Sequence, residues 1–325
     1  MFKAKFGVIL GNVGSCRDRY CDSYGPNYSV QELFDRVAEI NDISGVELVG
    51  NWHITKENAD EIKGHLERTG LECISLIPDH FGSAKWKKGA FSSSDKNIRE
   101  DAIRTTKEMI DIAVKIGCPL VTLWPGQDGY DYSFACGFMK EREWLTEGIR
   151  ECCLYNPDIT ICLEYKPREP RQHCHIARAA DTLLMVNSIG LDNLGVTLDV
   201  GHSLMAYENV SESISLCKFY GDKLRHMHFN DNYRYWDDDM IAGSIHTIEF
   251  LEILYWLKKT DYSGWLSMDQ YPYREDGVKA VSESILWLKA MLRKLEDVGE
   301  SEIEAVIEQR DGAAASKLAR KLILG

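Results

Sequence analysis

The chain has no long hydrophobic run and no excess of basic residues. No stretch of its 325 residues approaches the roughly 18 consecutive apolar residues that span a bilayer, so we expect no membrane partner. The 51 acidic residues outnumber the 38 lysines and arginines and give a formal charge of −13. Because binding to nucleic-acid phosphates needs clustered Lys and Arg, this balance also argues against a nucleic-acid partner. It favours a protein that holds divalent cations.

Cysteine is also sparse, with ten residues in the whole chain, which is too few for a disulfide scaffold. Cys73, Cys162 and Cys217 stand where an apolar core residue would serve, and a buried free thiol behaves as a small hydrophobic group. The segment from Met1 to Leu10 lacks the pattern of a signal peptide and is typical of a first strand. We therefore expect a cytoplasmic protein in a reducing compartment.

The first apolar run is not followed by a G-x-G-x-x-G segment, which argues against a dinucleotide-binding fold. Instead, eight short apolar runs alternate with segments of helical period. The helical segments carry capping signals such as Ser29 with Glu32, and stop signals such as Gly117. The apolar runs are Phe6–Leu10, Val46–Val49, Cys73–Pro78, Leu120–Trp124, Thr160–Glu164, Val196–Asp199, Arg225–Phe229 and Trp265–Asp269. Eight such strands predict an α/β protein, a closed (β/α)₈ TIM barrel.

The domain organisation is predicted to be simple, because no linker rich in Pro, Gly or Ser divides the chain. We expect residues 1–295 to form the catalytic barrel domain. From about residue 296 the composition shifts to Glu, Ala, Lys and Leu, which predicts a C-terminal helical tail over 296–325. We expect the tail to pack on the barrel or on a neighbouring subunit.

Four consecutive predicted strands carry a potential metal ligand at the same end. Glu164, Asp199 and Asp269 end the fifth, sixth and eighth strands, and His228 lies on the seventh. Barrel enzymes place their chemistry at this end. Three carboxylates packed together would repel one another unless a cation lay between them, and this ligand set suits Mn²⁺, with Mg²⁺ or Co²⁺ as alternatives. Taken alone, an acid such as Asp199 could equally cap the following helix.

A second group of candidate ligands lies close in sequence. His202 follows Asp199 by three residues, and Asp237 and Asp239 lie in the loop after the seventh strand. With Asp199 shared, these residues could hold a second metal beside the first, so that one or two metals bind per chain. The other interpretation of the aspartate run is an ordinary solvated loop.

Several segments resemble one superfamily of sugar enzymes. Residues 164–171 read E-Y-K-P-R-E-P-R, which resembles the E-P-K-P-x-E-P-R segment of xylose isomerases. Residues 91–102 resemble that family's F-T-x-N-D-x-x-V-R-x-x-A segment, and Trp124 follows as its strand-end tryptophan does. Residues 199–202 and 230–244 are similar to bacterial L-rhamnose isomerases. From about residue 70 to 275, the chain resembles the xylose isomerase-like TIM-barrel superfamily of sugar isomerases and epimerases.

The resemblance implies roles for individual residues. A structural metal would be held by Glu164, Asp199, His228 and Asp269. A catalytic metal would be held by His202, Asp237, Asp239 and the shared Asp199. Lys166 would donate to the carbonyl oxygen of the sugar, and His202 would also contact the substrate. Phe91 and Trp124 would form an apolar wall. His53 would open the sugar ring, with His80 as a competing candidate.

The implied activity is a metal-dependent aldose–ketose isomerase that acts on an unphosphorylated monosaccharide by a 1,2-hydride shift. The sequence shows no Gly-rich phosphate cradle, which favours a free sugar. The alternative is a ketose 3-epimerase, in which Glu164 and Asp269 would exchange a proton with the sugar. Asp269 stands where epimerases carry a glutamate, and this difference, with Lys166 and the Asp237/Asp239 pair, favours the isomerase.

Two further classes receive less support. The acidic balance disfavours a zinc endonuclease built on the same barrel, and ligands on four strands argue against a non-catalytic sugar-binding barrel. The family resemblance implies a homo-oligomer, a dimer or a tetramer.

Three other histidines are weighed as possible metal ligands or structural residues. The run His173-Cys174-His175 suggests zinc, but no second ligand pair lies at the usual spacing. His226, two residues before His228, is expected to face the opposite side of its strand and to be structural.

Overall fold

The computed structural model describes residues 3–18 and 20–325, and eight parallel strands of this part close into a barrel. The strands are β1 Lys5–Ile9, β2 Ile43–Val49, β3 Glu72–Ile77, β4 Leu120–Leu123, β5 Thr160–Glu164, β6 Leu194–Asp199, β7 Leu224–Phe229 and β8 Trp265–Met268. Each strand pairs with its neighbours in chain order, and β8 pairs with β1 to complete the ring. The predicted (β/α)₈ TIM barrel is therefore confirmed.

Helices cover the outside of the barrel. They are α1 Val30–Ala38, α2 Ala59–Thr69, α3 Lys96–Ile116, α4 Phe138–Tyr155, α5 Ala179–Ile189, α6 Val200–Met205, α7 Val210–Phe219, α8 Thr247–Lys259, α9 Gly277–Val298, α10 Glu300–Gln309 and α11 Gly312–Leu324. Ser29 and Glu32 form the predicted capping box of α1. Gly117 ends α3 in the left-handed conformation that glycine adopts without strain. No helix of the described residues combines the length and hydropathy needed to cross a membrane.

The C-terminal segment is helical, as its composition predicts. Helix α9 continues past the predicted boundary at residue 295 and ends at Val298, and α10 and α11 follow. Both of these helices pack against α9, and Ile303 and Leu322 bury their side chains there. The tail thus begins as a continuation of the last barrel helix.

Two features of the barrel position the candidate site. Polar side chains cross the interior below the strand ends, where Ser75 Oγ lies 2.9 Å from Thr122 Oγ1. Above the strand ends, the short strands Gly129–Tyr130 and His173–Cys174 pair antiparallel. This pair joins the loop after β4 to the loop after β5.

Candidate metal centre

The four residues from consecutive strand ends converge. Glu164, Asp199, His228 and Asp269 each offer a ligand atom, and the four atoms lie within 4.8 Å of one another. His228 Nδ1 is 3.3 Å from Glu164 Oε1 and 3.2 Å from Asp269 Oδ2. The first three side chains are buried, whereas Asp269 is 26% exposed. The group is therefore open on the side of Asp269.

Asp199 both caps a helix and belongs to this acidic group. Its Oδ1 accepts a hydrogen bond from the backbone N–H of His202 at 2.8 Å, at the start of α6. Its Oδ2 accepts one from Asn230 Nδ2 at 2.9 Å. Burial raises the pKa of Asp199 to about 7, and the neighbouring Asp237 and Asp269 add to the rise. Crowded buried carboxylates of this kind fit a divalent cation, which would offset their repulsion.

Glu47, on β2, is a buried carboxylate that the sequence reasoning did not identify. Its Oε1 is 3.0 Å from His226 Nε2, and it also accepts a hydrogen bond from the hydroxyl of Ser267. Its Oε2 is 3.3 Å from His228 Nε2. Burial alone would raise the pKa of Glu47, but the two imidazoles hold it well below the usual value. Glu47 therefore fixes His228 with its N–H on Nε2 and leaves Nδ1 free toward the acidic group.

His226 lies on the same side of its strand as His228, contrary to the expectation from the sequence. His226 and His228 face the same side of β7, with ring centroids 5.0 Å apart, and both contact Glu47. The expectation that they face opposite sides is wrong, because side chains alternate along a strand and residues two apart share a face.

The second predicted ligand group is assembled in part. His202 Nε2 lies 3.0 Å from Asp237 Oδ2, and Lys166 Nζ lies 2.7 Å from the same oxygen. Asp239 is close enough to Asp237 that burial and this neighbour raise its pKa well above the usual value. Among residues 3–18 and 20–325, however, none of the ligand groups whose atoms converge within 4.8 Å contains His202, Asp237 or Asp239. The structure thus brings His202 to Asp237, but it does not bring the atoms of the second group together as closely as those of the first.

Two buried atoms in this second group have no hydrogen-bond partner within the described part of the chain. They are His202 Nδ1 and Asp237 Oδ1. His202 Nδ1 is 3.3 Å from Glu164 Oε1, but the angles do not make a hydrogen bond. A buried polar atom without a partner is costly. These atoms therefore fit a metal or a polar substrate group.

Lys166 is held as a cation beside these acids. Its side chain is buried, and Nζ is also 3.0 Å from Glu169 Oε2. Burial alone would lower its pKa, but Asp237 and Glu169 raise it well above its usual 10.5. Nζ lies 5.2 Å from the ring centre of Trp124, within reach of a cation–π contact. The ion-pair partners of Lys166 are therefore Asp237 and Glu169.

A cavity of about 420 Å³ opens above the acidic group and adjoins an outer chamber of about 770 Å³. Trp124 and Phe81 form one wall of the inner cavity, with ring centroids 4.7 Å apart. Tyr271 and Tyr273 line it as well. Its size and mixed lining are typical of a small-molecule site.

Phe91 does not line this cavity, although the resemblance implied a substrate contact. Its ring is buried beside His80, with centroids 5.1 Å apart, and it packs onto Gly148 of α4, where there is no side chain to displace it. Phe81 takes the place in the wall that was expected for Phe91.

Neither candidate for the ring-opening histidine reaches the cavity. His53 is buried, and its Nδ1 accepts a hydrogen bond from the backbone N–H of Val49 at 3.0 Å. Burial lowers the pKa of His53 to about 4, and that of His80 to about 4 as well. His80 lies instead against Ala102 and Thr106 of α3. Both rings are thus neutral and used in packing.

The fold and the site together define a class: a parallel (β/α)₈ barrel with a carboxylate–histidine group at the carboxyl ends of its strands. Residues 34–291 match the model of a family described as the xylose isomerase-like TIM barrel. The chain belongs to this family.

Similar proteins include sugar isomerases and epimerases. The xylose isomerase of Thermus thermophilus is 26% identical over 307 residues, which are 89% of this chain and 78% of the relative. That of Thermus caldophilus is 25% identical and covers 95% of this chain and 85% of the relative. The crystal structure of a D-tagatose 3-epimerase-like protein matches 90% of this chain and 98% of its own, with a TM-score of 0.70 at 22% identity. At that identity the last match shows the fold alone.

Proposed function

We propose that the protein is a metal-dependent aldose–ketose isomerase acting on an unphosphorylated monosaccharide by a 1,2-hydride shift. The observation that carries the proposal is the placement of Lys166. Its ammonium group lies beside Asp237 and at the wall of the cavity that opens over the four-residue acidic group. A fixed cation at that point supports a reaction in which negative charge develops on a sugar oxygen.

The residues present fit divalent metals. Glu164, Asp199, His228 and Asp269 would hold one ion, because their ligand atoms already converge. His202, Asp237 and Asp239 with the shared Asp199 would hold a second ion after their side chains move closer together. Metals bound there would polarise the oxygens of the sugar at its first two carbons. Oxygen and imidazole ligands suit Mn²⁺, with Mg²⁺ or Co²⁺ as alternatives.

Lys166 would release its contact with Asp237 and donate to the carbonyl oxygen of the substrate. The ion pairs with Asp237 and Glu169 keep it charged and hold Nζ at the cavity wall. A group that is held in place before the substrate arrives stabilises developing charge without reorganisation.

Trp124 and Phe81 would exclude water from the carbon atoms that exchange the hydride. They form a continuous aromatic wall on the inner cavity. An apolar wall at that position favours direct transfer within the sugar over exchange of protons with solvent.

The charges of the inner cavity support an unphosphorylated substrate. Its walls include five carboxylates (Glu164, Glu169, Asp237, Asp239 and Asp269) against two permanent cations, Lys166 and Arg17. Lys166 is already paired with two of these acids. Of the two permanent cations in the lining, only Arg17 would remain to pair with a phosphate group, which favours a free sugar whether or not metals are bound.

A ketose 3-epimerase is the second candidate. Both Glu164 and Asp269 border the inner cavity, as two carboxylates that exchange a proton with one sugar carbon would. The shorter side chain at position 269 and the cation at Lys166 favour the isomerase.

The test is an assay of a panel of free aldoses and ketoses with metal-depleted protein to which Mn²⁺, Co²⁺ or Mg²⁺ is returned. We expect an aldose and its ketose to interconvert only with metal present, and Asp199→Asn to abolish the conversion. Products that are only C3 epimers would replace the isomerase with the second candidate.

The compartment and assembly belong to the same proposal. All ten cysteines are free thiols, and eight of them are buried, which suits a reducing cytoplasm. We propose a homo-oligomer of two or four copies, which light scattering of the purified protein tests.

A further inference from the structure

Outside the candidate metal centre, three side chains of different chemistry meet at the edge of the barrel mouth. They are Cys136, in the loop after β4, Glu141, in the first turn of α4, and His175, in the loop after β5. Each offers one ligand atom, and the three atoms lie within 4.8 Å of one another. From this group we infer a separate binding site for a divalent metal of zinc type, which clamps the two loops together.

The three donor atoms already lie close together, and a metal would replace the proton that His175 and Glu141 share in their hydrogen bond. His175 Nε2 is 2.9 Å from Glu141 Oε2 and 4.0 Å from Cys136 Sγ. A tetrahedral zinc with Zn–S about 2.3 Å and Zn–N about 2.0 Å separates its S and N ligands by about 3.5 Å. The sulfur and nitrogen would therefore approach by about 0.5 Å, which a partly exposed side chain such as Cys136 can accommodate.

The carboxylate and the imidazole are held by their other contacts. Glu141 Oε1 accepts a hydrogen bond from the backbone N–H of Gly137 at 2.7 Å, which leaves Oε2 for the metal. The backbone of His175 is fixed on both sides: its N–H donates to the carbonyl of Asp128 at 2.9 Å, and its carbonyl accepts from Arg142 at 3.1 Å. Such contacts orient ligands before a metal binds.

The surroundings leave room for a fourth ligand. The side chain of His175 is 3% exposed and that of Glu141 is 18% exposed, so the group has one buried side and one open side. Water can complete the coordination from the open side. Burial and the carboxylate of Glu141 raise the pKa of the Cys136 thiol to about 11, although Arg171 and Arg142 oppose the rise, so a bound metal would displace the proton of the thiol.

The position of this group gives the metal a structural role. The residues on either side of His175 join the strand end that carries Lys166: Cys174 N–H donates to the carbonyl of Pro167, and Lys166 N–H donates to the carbonyl of Ile176. A metal on His175 would tie this segment to α4. The inference does not depend on the reaction catalysed at the barrel mouth.

Cobalt is the probe, because a cobalt–thiolate bond gives a charge-transfer absorption in the near ultraviolet that carboxylate and imidazole ligands do not give. Metal-depleted protein is titrated with Co²⁺ in the presence of a reductant. We expect the band in the wild-type chain and in Cys21→Ser, which removes the other partly exposed cysteine. We expect it to vanish in Cys136→Ser, with the total bound Co²⁺ reduced by one per chain.

Glu141→Gln is a second test variant, and it retains the thiol of Cys136. Loss of one charged ligand should weaken the binding of the Co²⁺ ion that produces the band by at least about tenfold. Circular dichroism confirms that each variant is folded. A wild-type chain without the band, or a band that persists in Cys136→Ser, overturns the inference.

Discussion

Glu47→Gln tests whether a buried carboxylate on β2 tunes the metal centre through His228. The substitution keeps the size of the side chain and removes its charge. In the structure Glu47 faces His226 Nε2 and His228 Nε2, while His228 Nδ1 points at the acidic group on the other side of the ring. Glu47 is fully buried, so solvent does not screen its charge.

The expected loss is a tenfold to hundredfold weaker binding of Mn²⁺, which is the range found when a carboxylate behind a metal-bound histidine is removed. This corresponds to about 1.4–2.7 kcal/mol. The physical reason is twofold: the glutamine no longer makes the imidazole more basic, and it no longer enforces the N–H on Nε2.

Isothermal titration of metal-depleted protein with Mn²⁺ measures this loss. Ser75→Ala is the matched control, because it removes another buried polar contact inside the barrel, the one to Thr122, without touching a candidate ligand. We expect the control to bind Mn²⁺ as the wild type does. Equal affinities for Glu47→Gln and wild type would refute the reasoning.

Three further predictions concern the same site. Lys166→Met should lower kcat for aldose–ketose conversion by at least about a hundredfold, because the donor to the sugar oxygen is lost. Mn²⁺ should still bind, because Lys166 is not a metal ligand and its removal frees Asp237 from an ion pair. Unchanged kcat would remove Lys166 from the mechanism. Gly201→Ala should destabilise the protein by about 1–3 kcal/mol, because a Cβ at this position overlaps Asn230 Oδ1. It should also weaken metal binding, because Asn230 donates a hydrogen bond to Asp199. A denaturant titration measures the loss of stability. Metal-depleted protein should lose stability as the pH rises from 6.5 to 9. Burial opposes the charge of His202, but Asp199 and Asp237 raise its pKa to about 9, so the folded state binds more protons than the unfolded state in this range. A melting temperature that rises over this window would contradict the assignment.

The sequence predicts the barrel well because local signals and the global fold agree. Each of the eight predicted apolar runs forms a strand, and the capping box of Ser29 and Glu32 and the stop signal Gly117 begin and end helices where expected. The strand ends then bring Glu164, Asp199, His228 and Asp269 together, since side chains at the carboxyl ends of barrel strands share one face.

Interior partners and loops were less predictable. Glu47 lies within an apolar run, and an acid in such a run is itself a signal, but its partners on β7 are nearly 180 residues away in sequence. Phe91 lies in a segment that resembles a family motif, and His53 is the ring-opening candidate that the resemblance implies. The packing of both rings depends on neighbours that no local pattern specifies. The meeting of Cys136 with His175 likewise depends on how two loops fold over each other.

The central proposal, direct hydride transfer between two carbons of a free sugar, is tested most directly by running the conversion in D₂O. Mass spectrometry and proton NMR of the product then report deuterium at each carbon. We predict an aldose–ketose conversion in which the transferred hydrogen is retained, with no more deuterium at the first two carbons than a protein-free control. A product that carries one deuterium at the carbon whose configuration or oxidation state has changed would contradict the account and indicate proton transfer through a carboxylate.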